Sequence, residues 1–347
     1  MTGLKGFATG IGSLPYKDTE KALDLVFHFC PKIPFWPQLP KRDSREGMVA
    51  QFSEKLPCLE FTPEGVIFNP RQKDKELELF YGRVIAGDTA YFKLSPDFSA
   101  GLYGFYQRLE KLGPQGLKNI AAIKCHITGP FTFAASLSND NNLSLLHDEI
   151  FMQVILKGMA MKALWQVNLF KKFGKKIIIF IDEPYLAGFG SAFTPINKET
   201  VEAGLAELTS AIKSEDVSIG VHCCGNTDWP IFIDAQGIDI INFDAFSFFD
   251  RLALYSENLK AFFKRGGMLC WGIVPTTEFK ASETAELLSA KIQSGIDLLA
   301  KKGIDRDLLM ENLLISPSCG LGTLDEAKAG QIFQVLAETS SYIINQH

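Results

Sequence analysis

The sequence has 347 residues, of which 46% are hydrophobic and 22% are charged, so it contains enough apolar material for a large core. Its formal net charge is −5 and its lysines and arginines are scattered, which excludes a general attraction to nucleic acid or to an anionic membrane surface. No segment approaches the roughly 20 apolar residues of a membrane span, and the N-terminus lacks the apolar run of a signal peptide. We therefore expect a cytoplasmic protein with neither nucleic-acid nor membrane partners.

The first hundred residues predict two short strands, at 6–13 and 33–38, with a helix at 18–30 between them. No alternation of strand and helix is visible over 41–100, where "LEFTPEGVIFNP" has the pattern of a hairpin. We interpret 41–100 as an excursion between the second and third strands of the fold.

From residue 100 onward, short β-branched runs alternate with amphipathic helical stretches, which is the pattern of repeated βα units and a parallel sheet. Two long stretches, 146–174 and 283–303, have apolar residues at helical spacing and end at a glycine. The runs predict strands at 119–130, 176–184, 217–226, 237–246, 266–275 and 312–321.

Eight strands with intervening helices predict a single (β/α)8 barrel (TIM barrel), an α/β fold that occupies residues 1–347 as one domain. A doubly wound open sheet is the alternative, but no G-x-G-x-x-G sequence follows the first strand, so nothing favours a dinucleotide-binding fold. The active site of such a barrel lies at the C-terminal ends of its strands. Polar residues that end strands therefore carry the functional information.

The stretch "GVHCCGNTDW" (220–229) ends one predicted strand with a histidine and two cysteines. Alternate side chains of a strand share a face, so His222 and Cys224 point the same way while Cys223 points the other way. An odd total of seven cysteines in a long chain favours free thiols or metal ligands over a disulfide framework. Either His222 and Cys224 are two ligands of a metal site, or they are buried strand residues satisfied by their neighbours.

Two further strand ends offer partners for this pair. Cys319, in "SPSCGL", ends the last strand and precedes a glycine, and its thiol completes a set of ligands that zinc prefers. Asp244, in "NFDAF", is a candidate fourth ligand or an acceptor for the ring of His222, although an aspartate at a strand end is often just a helix cap. The expected cofactor is therefore Zn²⁺.

Two other strand ends are candidates for substrate binding. In "FIDEPYL" at most one of Asp182 and Glu183 enters the barrel mouth, where it could bind a substrate ammonium group, while a helix cap is the alternative. In "TGIGSLP" the backbone N–H groups near Ser13 could bind a carboxylate, though a tight turn without a ligand is the commoner case. His126, in "HITGPF", is more typical of a packed strand residue than of a ligand.

Taken in order, "IGSLP", "TGPFT", "IDEP", the H-x-C of "VHCCGN" and "SCGL" resemble the catalytic barrel of cobalamin-independent methionine synthase. The relatives include corrinoid-linked thiol methyltransferases of the uroporphyrinogen decarboxylase-like superfamily. The resemblance spans nearly the whole chain and implies a zinc-dependent methyltransferase that acts on a small thiol, homocysteine first.

The resemblance also implies roles for individual residues. His222, Cys224 and Cys319 would bind zinc and so activate the thiol, and Asp244 stands where a glutamate ligand is usual. The backbone of Ile11, Gly12 and Ser13 would bind an amino acid carboxylate. Asp182 would bind the ammonium group of the same substrate.

The sequence departs from the family pattern in three places. It has no room for the second, N-terminal half that helps bind the folate donor, and "GIVPTTE" replaces a His-Ser-Pro stretch whose histidine donates a proton. Ala50 occupies the position of a glutamate that also binds the homocysteine ammonium. The first two departures favour a methylcorrinoid, free or bound to a corrinoid protein, over methyltetrahydrofolate as the methyl donor.

Two alternative functions remain open at this stage. One is an enzyme like uroporphyrinogen decarboxylase on the same barrel, although the early arginine-rich motif expected there is absent. The other is a non-catalytic module that binds zinc or a corrinoid.

Overall fold

The structure is a computed structural model that describes residues 4–139, 141–191, 194–280 and 282–345. Nine strands lie within the described residues. They are β1 (Phe7–Ala8), β2 (Leu59–Thr62), β3 (Gly65–Phe68), β4 (Ala122–Thr128), β5 (Lys176–Asp182), β6 (Val217–Cys223), β7 (Ile240–Phe243), β8 (Met268–Val274) and β9 (Leu313–Pro317).

Helices precede or follow almost every strand, and short 3-10 turns extend several of them. The α-helices are α1 (Thr19–Phe29), α2 (Met48–Ser53), α3 (Lys73–Ile85), α4 (Ala100–Leu117), α5 (Pro130–Ala135), α6 (Glu149–Phe170), α7 (Lys198–Ile212), α8 (Pro230–Ile233), α9 (Ala245–Leu252), α10 (Ser256–Lys264), α11 (Ala285–Lys301), α12 (Arg306–Glu311) and α13 (Glu326–Asn345). Across the described part of the chain, no helix combines the length and the apolar character needed to span a bilayer.

Seven strands form one parallel sheet in the order β1-β9-β8-β7-β6-β5-β4. Strands β4, β6 and β8 are buried along their whole length, as expected for strands covered on both faces. The prediction of an α/β fold with a parallel sheet is therefore confirmed, and all six strands predicted after residue 100 are present.

The predicted second strand is the main departure from the expected eight. It makes isolated contacts with both edges of the sheet: the carbonyl of Pro34 accepts from the N–H of Lys124 at 3.0 Å, and the N–H of Gln38 donates to the carbonyl of Gly12 at 3.0 Å. Pro34 and Pro37 have no N–H to donate, so a continuous ladder cannot form. The segment bridges β1 and β4 without being a regular strand.

The segment from 41 to 100 contains the predicted hairpin. Strands β2 and β3 pair antiparallel, with Thr62 opposite Gly65 across a two-residue turn. Gly65 has a φ of +133°, a conformation that is open to glycine and strained for other residues. Helices α2 and α3, which the sequence did not predict, flank the hairpin.

Two apolar layers lie on the two faces of the sheet. The larger one joins the sheet to the surrounding helices. The smaller one packs inside the curve of the sheet from alternate strand positions, such as Ile178, Phe180, Ile240 and Met268. This inner layer fills the fold below the C-terminal strand ends, which leaves the space for a site at those ends.

Candidate active site

A cavity of about 640 Å³ opens at the C-terminal ends of the parallel strands. Its walls come from segments that are far apart in sequence, because parallel strands present their ends on one side of the sheet. The residues lining it are Ile11, Ser13, Gln38, Pro40, Lys41, Met48, His126, Thr128, Asp182, Pro184, His222, Cys224, Cys319, Gly320, Gly322 and Thr323.

Three side chains that could hold a metal ion meet in this cavity. One ligand atom each of His222, Cys224 and Cys319 lies within 4.8 Å of the others. Strand β9 is three places from β6 in the sheet, which would separate their ends by roughly 14 Å if the sheet were flat. The sheet must therefore curl strongly to bring Cys319 to the other two.

Asn242 fixes the orientation of the His222 ring. It lies opposite His222 in the register of β6 and β7, and its side-chain oxygen contacts Nδ1 of the ring. The amide nitrogen of Asn242 donates to the carbonyl of Cys270 at 2.9 Å and to the hydroxyl of Ser316 at 2.8 Å. Because the amide nitrogen is committed to these acceptors, the oxygen faces Nδ1, so Nδ1 carries the proton and Nε2 presents its lone pair.

The two thiols are electrostatically unequal. The Cys319 thiol donates a hydrogen bond to the sulfur of Cys224 and lowers the pKa of Cys224, with a further lowering contribution from His222. The same contact raises the pKa of Cys319. Burial tends to lower the pKa of His222, but its interactions with Cys224 and Asp182 raise it overall. The pair therefore holds one thiolate beside an imidazole, which is a good setting for a cation.

The other cysteine of the motif faces away. The Cys223 side chain is fully buried, and its thiol donates to the carbonyl of Gly225 at 3.8 Å. Burial raises its pKa to about 12, so it behaves as a small apolar core residue.

Asp244 does not join the cluster of potential ligands in the described residues. One carboxylate oxygen accepts from the N–H of Ser247 at 2.9 Å and caps the N-terminus of α9. The ring of His222 is held by Asn242, so the expectation that Asp244 is the acceptor for this ring is wrong. Asp244 adopts the helix-cap alternative that an aspartate at a strand end commonly takes.

The adjacent carboxylates after β5 have different surroundings. Asp182 lines the cavity, and its Oδ1 has no hydrogen-bond partner among the described residues. Burial raises its pKa to about 6, against the lowering effects of His222 and Lys124. Glu183 points away and accepts from the N–H groups of Phe131 at 3.0 Å and Thr132 at 2.8 Å, at the start of α5. Asp182 is thus available to a ligand, whereas Glu183 is a structural cap.

The turn after β1 is hydrogen-bonded to a lysine of strand β4. Nζ of Lys124, a fully buried lysine, donates to the carbonyl of Ile11 at 2.5 Å. Ser13 is tied to the turn after β9, because its carbonyl accepts from Leu321 at 2.9 Å and its hydroxyl from Gly322 at 3.3 Å. Within the ranges that the structure describes, the N–H groups of Gly12 and Ser13 donate to no protein atom. They are free to bind an anion.

Two residues that matter here were not identified from the sequence. Asn242 and Lys124 lie inside strands, where the sequence gives no sign of which strand faces them. Ala50 is buried in α2 and does not line the cavity.

Comparisons with known proteins agree on one family. Residues 108–340 match the family model described as "Cobalamin-independent synthase, Catalytic domain". A protein named "Methionine synthase" from Methanocaldococcus jannaschii is 26% identical over 246 residues, which covers 65% of this chain and 73% of that protein. A solved B12-independent methionine synthase from Shewanella sp. W3-18-1, in complex with selenomethionine, aligns with a TM-score of 0.61 and 17% identity over 99% of each chain.

These matches overturn one expectation. The matched family is cobalamin-independent, and the solved relative is described as B12-independent. The methylcorrinoid donor and the corrinoid-protein partner inferred from the sequence are therefore wrong. The short length of the chain and the missing His-Ser-Pro stretch do not imply a corrinoid.

Proposed function

Because the chain belongs to the family of cobalamin-independent synthase catalytic domains and is a methyltransferase, we propose that it transfers a methyl group to the thiol of homocysteine in a zinc-dependent reaction. The observation that carries this proposal is the group of His222, Cys224 and Cys319 in the cavity at the strand ends.

The three residues fit a zinc ion by their chemistry and spacing. Bonds of about 2.0–2.3 Å in a tetrahedral site put ligand atoms roughly 3.3–3.8 Å apart, and the three atoms here lie within 4.8 Å of one another. Two cysteine sulfurs and the Nε2 atom of an imidazole supply three ligands, which leaves a fourth position for the substrate sulfur. A bound zinc ion would lower the pKa of a coordinated thiol and hold it as the nucleophilic thiolate at neutral pH.

The rest of the cavity suits an amino acid that carries the thiol. We assign its carboxylate to the unpaired N–H groups of Gly12 and Ser13, in the turn that Ile11 anchors through Lys124. We assign its ammonium group to Asp182, whose Oδ1 has no partner within the described residues. These contacts hold the substrate at both ends of its backbone, so the sulfur is presented in one direction.

The methyl donor that we propose is free of cobalamin, with methyltetrahydrofolate as the first candidate. Methyl transfer forms the sulfur–methyl bond as the bond between the methyl group and the donor nitrogen breaks. The electron pair of that bond stays on the nitrogen, which takes up a proton, and this proton balances the one that the homocysteine thiol loses when it ionises. Positioning the donor in line with the sulfur is the main requirement for this step.

We also propose that the sheet closes into the (β/α)8 barrel of the sequence-based prediction, with residues 1–347 as one domain. The bridging contacts of the 33–38 segment with both edges of the sheet support this proposal, as does the curl needed to join Cys319 to His222.

Metal analysis and methyl-transfer assays on matched cysteine variants test the proposed function. We expect wild-type protein and Cys223→Ala to bind one zinc ion and to convert homocysteine to methionine, because Cys223 faces away from the cavity. We expect Cys224→Ser and Cys319→Ser to lose most zinc affinity and activity, since a serine hydroxyl is a poor zinc ligand. Unchanged zinc content in both serine variants would overturn the proposal.

A further inference from the structure

His126 occupies an unusual position for a histidine of β4. Its side chain lines the cavity and is only 2% exposed. The ring stacks on Trp36, with 3.8 Å between ring centroids, and meets Phe52 edge-on at 6.2 Å. The imidazole thus lies in an aromatic wall of the cavity.

The wall is held rigidly. The indole N–H of Trp36 donates to the side chain of Gln166 at 2.9 Å, and the same side chain donates to the backbone carbonyl of His126 at 3.0 Å. All of these groups are buried. The ring of His126 therefore cannot turn away without disturbing its neighbours.

Despite this setting, neither ring nitrogen of His126 has a hydrogen-bond partner in the part of the chain that the structure describes. A buried polar atom without a partner is unfavourable, so a ring of the same shape without nitrogens would stabilise the free protein better. Burial, and then the charge of Lys124, lower the pKa of His126 well below its usual value. The ring is neutral, so one nitrogen keeps a lone pair that can accept a hydrogen bond.

The nitrogen-bearing edge lies beside the turn to which we assign the substrate carboxylate. A Cβ at Gly12 would lie 2.8 Å from Cε1 of His126 and 3.0 Å from Nδ1. On the neighbouring strand, Asp182 lies two residues beyond Phe180, the register partner of His126. In an α-amino acid the ammonium group is attached to the carbon next to the carboxylate. A carboxylate at Gly12 therefore places the ammonium near both His126 and Asp182.

We propose that His126 is a substrate-binding residue that accepts a hydrogen bond from the ammonium group of the amino acid thiol. This inference rests on the proposed function and extends it to a residue that decides substrate specificity. His126 and Asp182 would supply the two contacts that the ammonium needs, since Ala50 has no polar side chain and does not line the cavity.

The test compares ligands with and without the amino group. The variant His126→Phe keeps an aromatic ring against Trp36 but has no nitrogens. We would titrate zinc-loaded wild-type and variant protein with L-homocysteine and with 4-sulfanylbutanoate, its analogue without the amino group, by isothermal titration calorimetry. A lost hydrogen bond to a charged group is expected to weaken homocysteine binding at least about tenfold. Binding of the analogue is expected to change less than about twofold.

Two controls separate binding from structural damage. Phe52→Leu alters the same aromatic wall without a polar change, so it should keep the wild-type ratio of the two affinities. His126→Gln, which restores an acceptor, should recover part of the homocysteine affinity. His126→Phe should also unfold at a temperature no lower than wild type, because it removes two unpaired buried nitrogens.

The inference would be overturned if His126→Phe weakened the binding of both ligands equally, or weakened the binding of neither. A wild-type protein that binds homocysteine more tightly than 4-sulfanylbutanoate, but transfers no methyl group, would refute the proposed function. The His126 contact would still stand. A wild-type protein that binds the analogue as tightly as homocysteine would refute the His126 contact, whatever the outcome of the methyl-transfer assay.

Discussion

Replacing Asn242 with leucine tests whether the ring of His222 is prepared for a metal before the metal arrives. Leucine has the same branching as asparagine and is somewhat larger, but it has no polar atoms. The substitution removes the contact with Nδ1 of His222 and the hydrogen bonds to the Cys270 carbonyl and the Ser316 hydroxyl. The ring would then be free to rotate and to change its tautomer.

The expected effects can be worked out from these contacts. Loss of a partner behind a metal-binding histidine typically lowers metal affinity by about 10–100-fold, which corresponds to roughly 1.4–2.7 kcal/mol. Each buried polar group that is left without a hydrogen-bond partner lowers the unfolding free energy by about 1–3 kcal/mol. The Ser316 hydroxyl keeps its hydrogen bond to the carbonyl of Pro317, so the loss falls on Nδ1 of His222 and on the carbonyl of Cys270. Together these two losses should lower the unfolding free energy of the metal-free protein by about 2–6 kcal/mol.

The assay is a zinc titration in competition with a chromophoric chelator, paired with urea unfolding of the metal-free protein. Ser316→Ala is the matched control, because it removes one partner of Asn242 while leaving the contact with His222 in place. We expect it to lower stability by about 1 kcal/mol and to leave zinc affinity within about threefold of wild type. Zinc affinity of Asn242→Leu within twofold of wild type would refute the argument that Asn242 holds the ring.

Two more predictions concern a buried carboxyl group and the turn to which we assign the substrate carboxylate. Burial raises the folded-state pKa of Glu46 to about 6, against the lowering effect of Arg42. Since this lies above the ordinary value of 4.5, the stabilising contribution of Glu46 is fully present below pH 4.5 and is lost as the pH rises through about 6. The unfolding free energy of wild type relative to Glu46→Gln should fall by up to about 2 kcal/mol over this range in urea titrations, and a constant difference would contradict the prediction. Gly12→Ala should raise KM for the thiol at least about tenfold at unchanged zinc content, because its Cβ would lie 2.8 Å from a ring that Trp36 holds in place. Gly330→Ala in α13, where an added Cβ meets nothing within 4 Å, should leave KM unchanged.

The strands after residue 100 could be predicted because each is a short β-branched run between helical stretches, and those runs are buried on both faces. The predicted second strand could not be read correctly from hydrophobicity alone. Its prolines at positions 34 and 37 remove two backbone donors, so the segment makes only single bridges with its neighbours. The helices α2 and α3 were missed because they are short or weakly amphipathic and lie beside a hairpin.

The residues of the candidate metal site also differ in how far the sequence predicts them. His222 and Cys224 were paired by strand alternation, which is a local property, and Cys319 joined them because parallel strands end on one side of a sheet. Asn242 was missed because its partnership with His222 depends on strand register, which the sequence does not reveal. Asp244 is a candidate from the sequence because it ends a predicted strand, yet one of its carboxylate oxygens caps its own helix.

At this site, strand alternation directs one of two adjacent residues of the same chemical type into the cavity and the other away from it. Asp182 faces the cavity with an unpaired oxygen, while Glu183 caps α5. Cys224 shares a proton with Cys319, while Cys223 is buried among apolar groups. A substitution at the outward-facing member of each pair should therefore act through folding, and one at the inward-facing member through binding. This distinction makes Cys223→Ala an informative control, because it changes the same residue type one position from a proposed ligand.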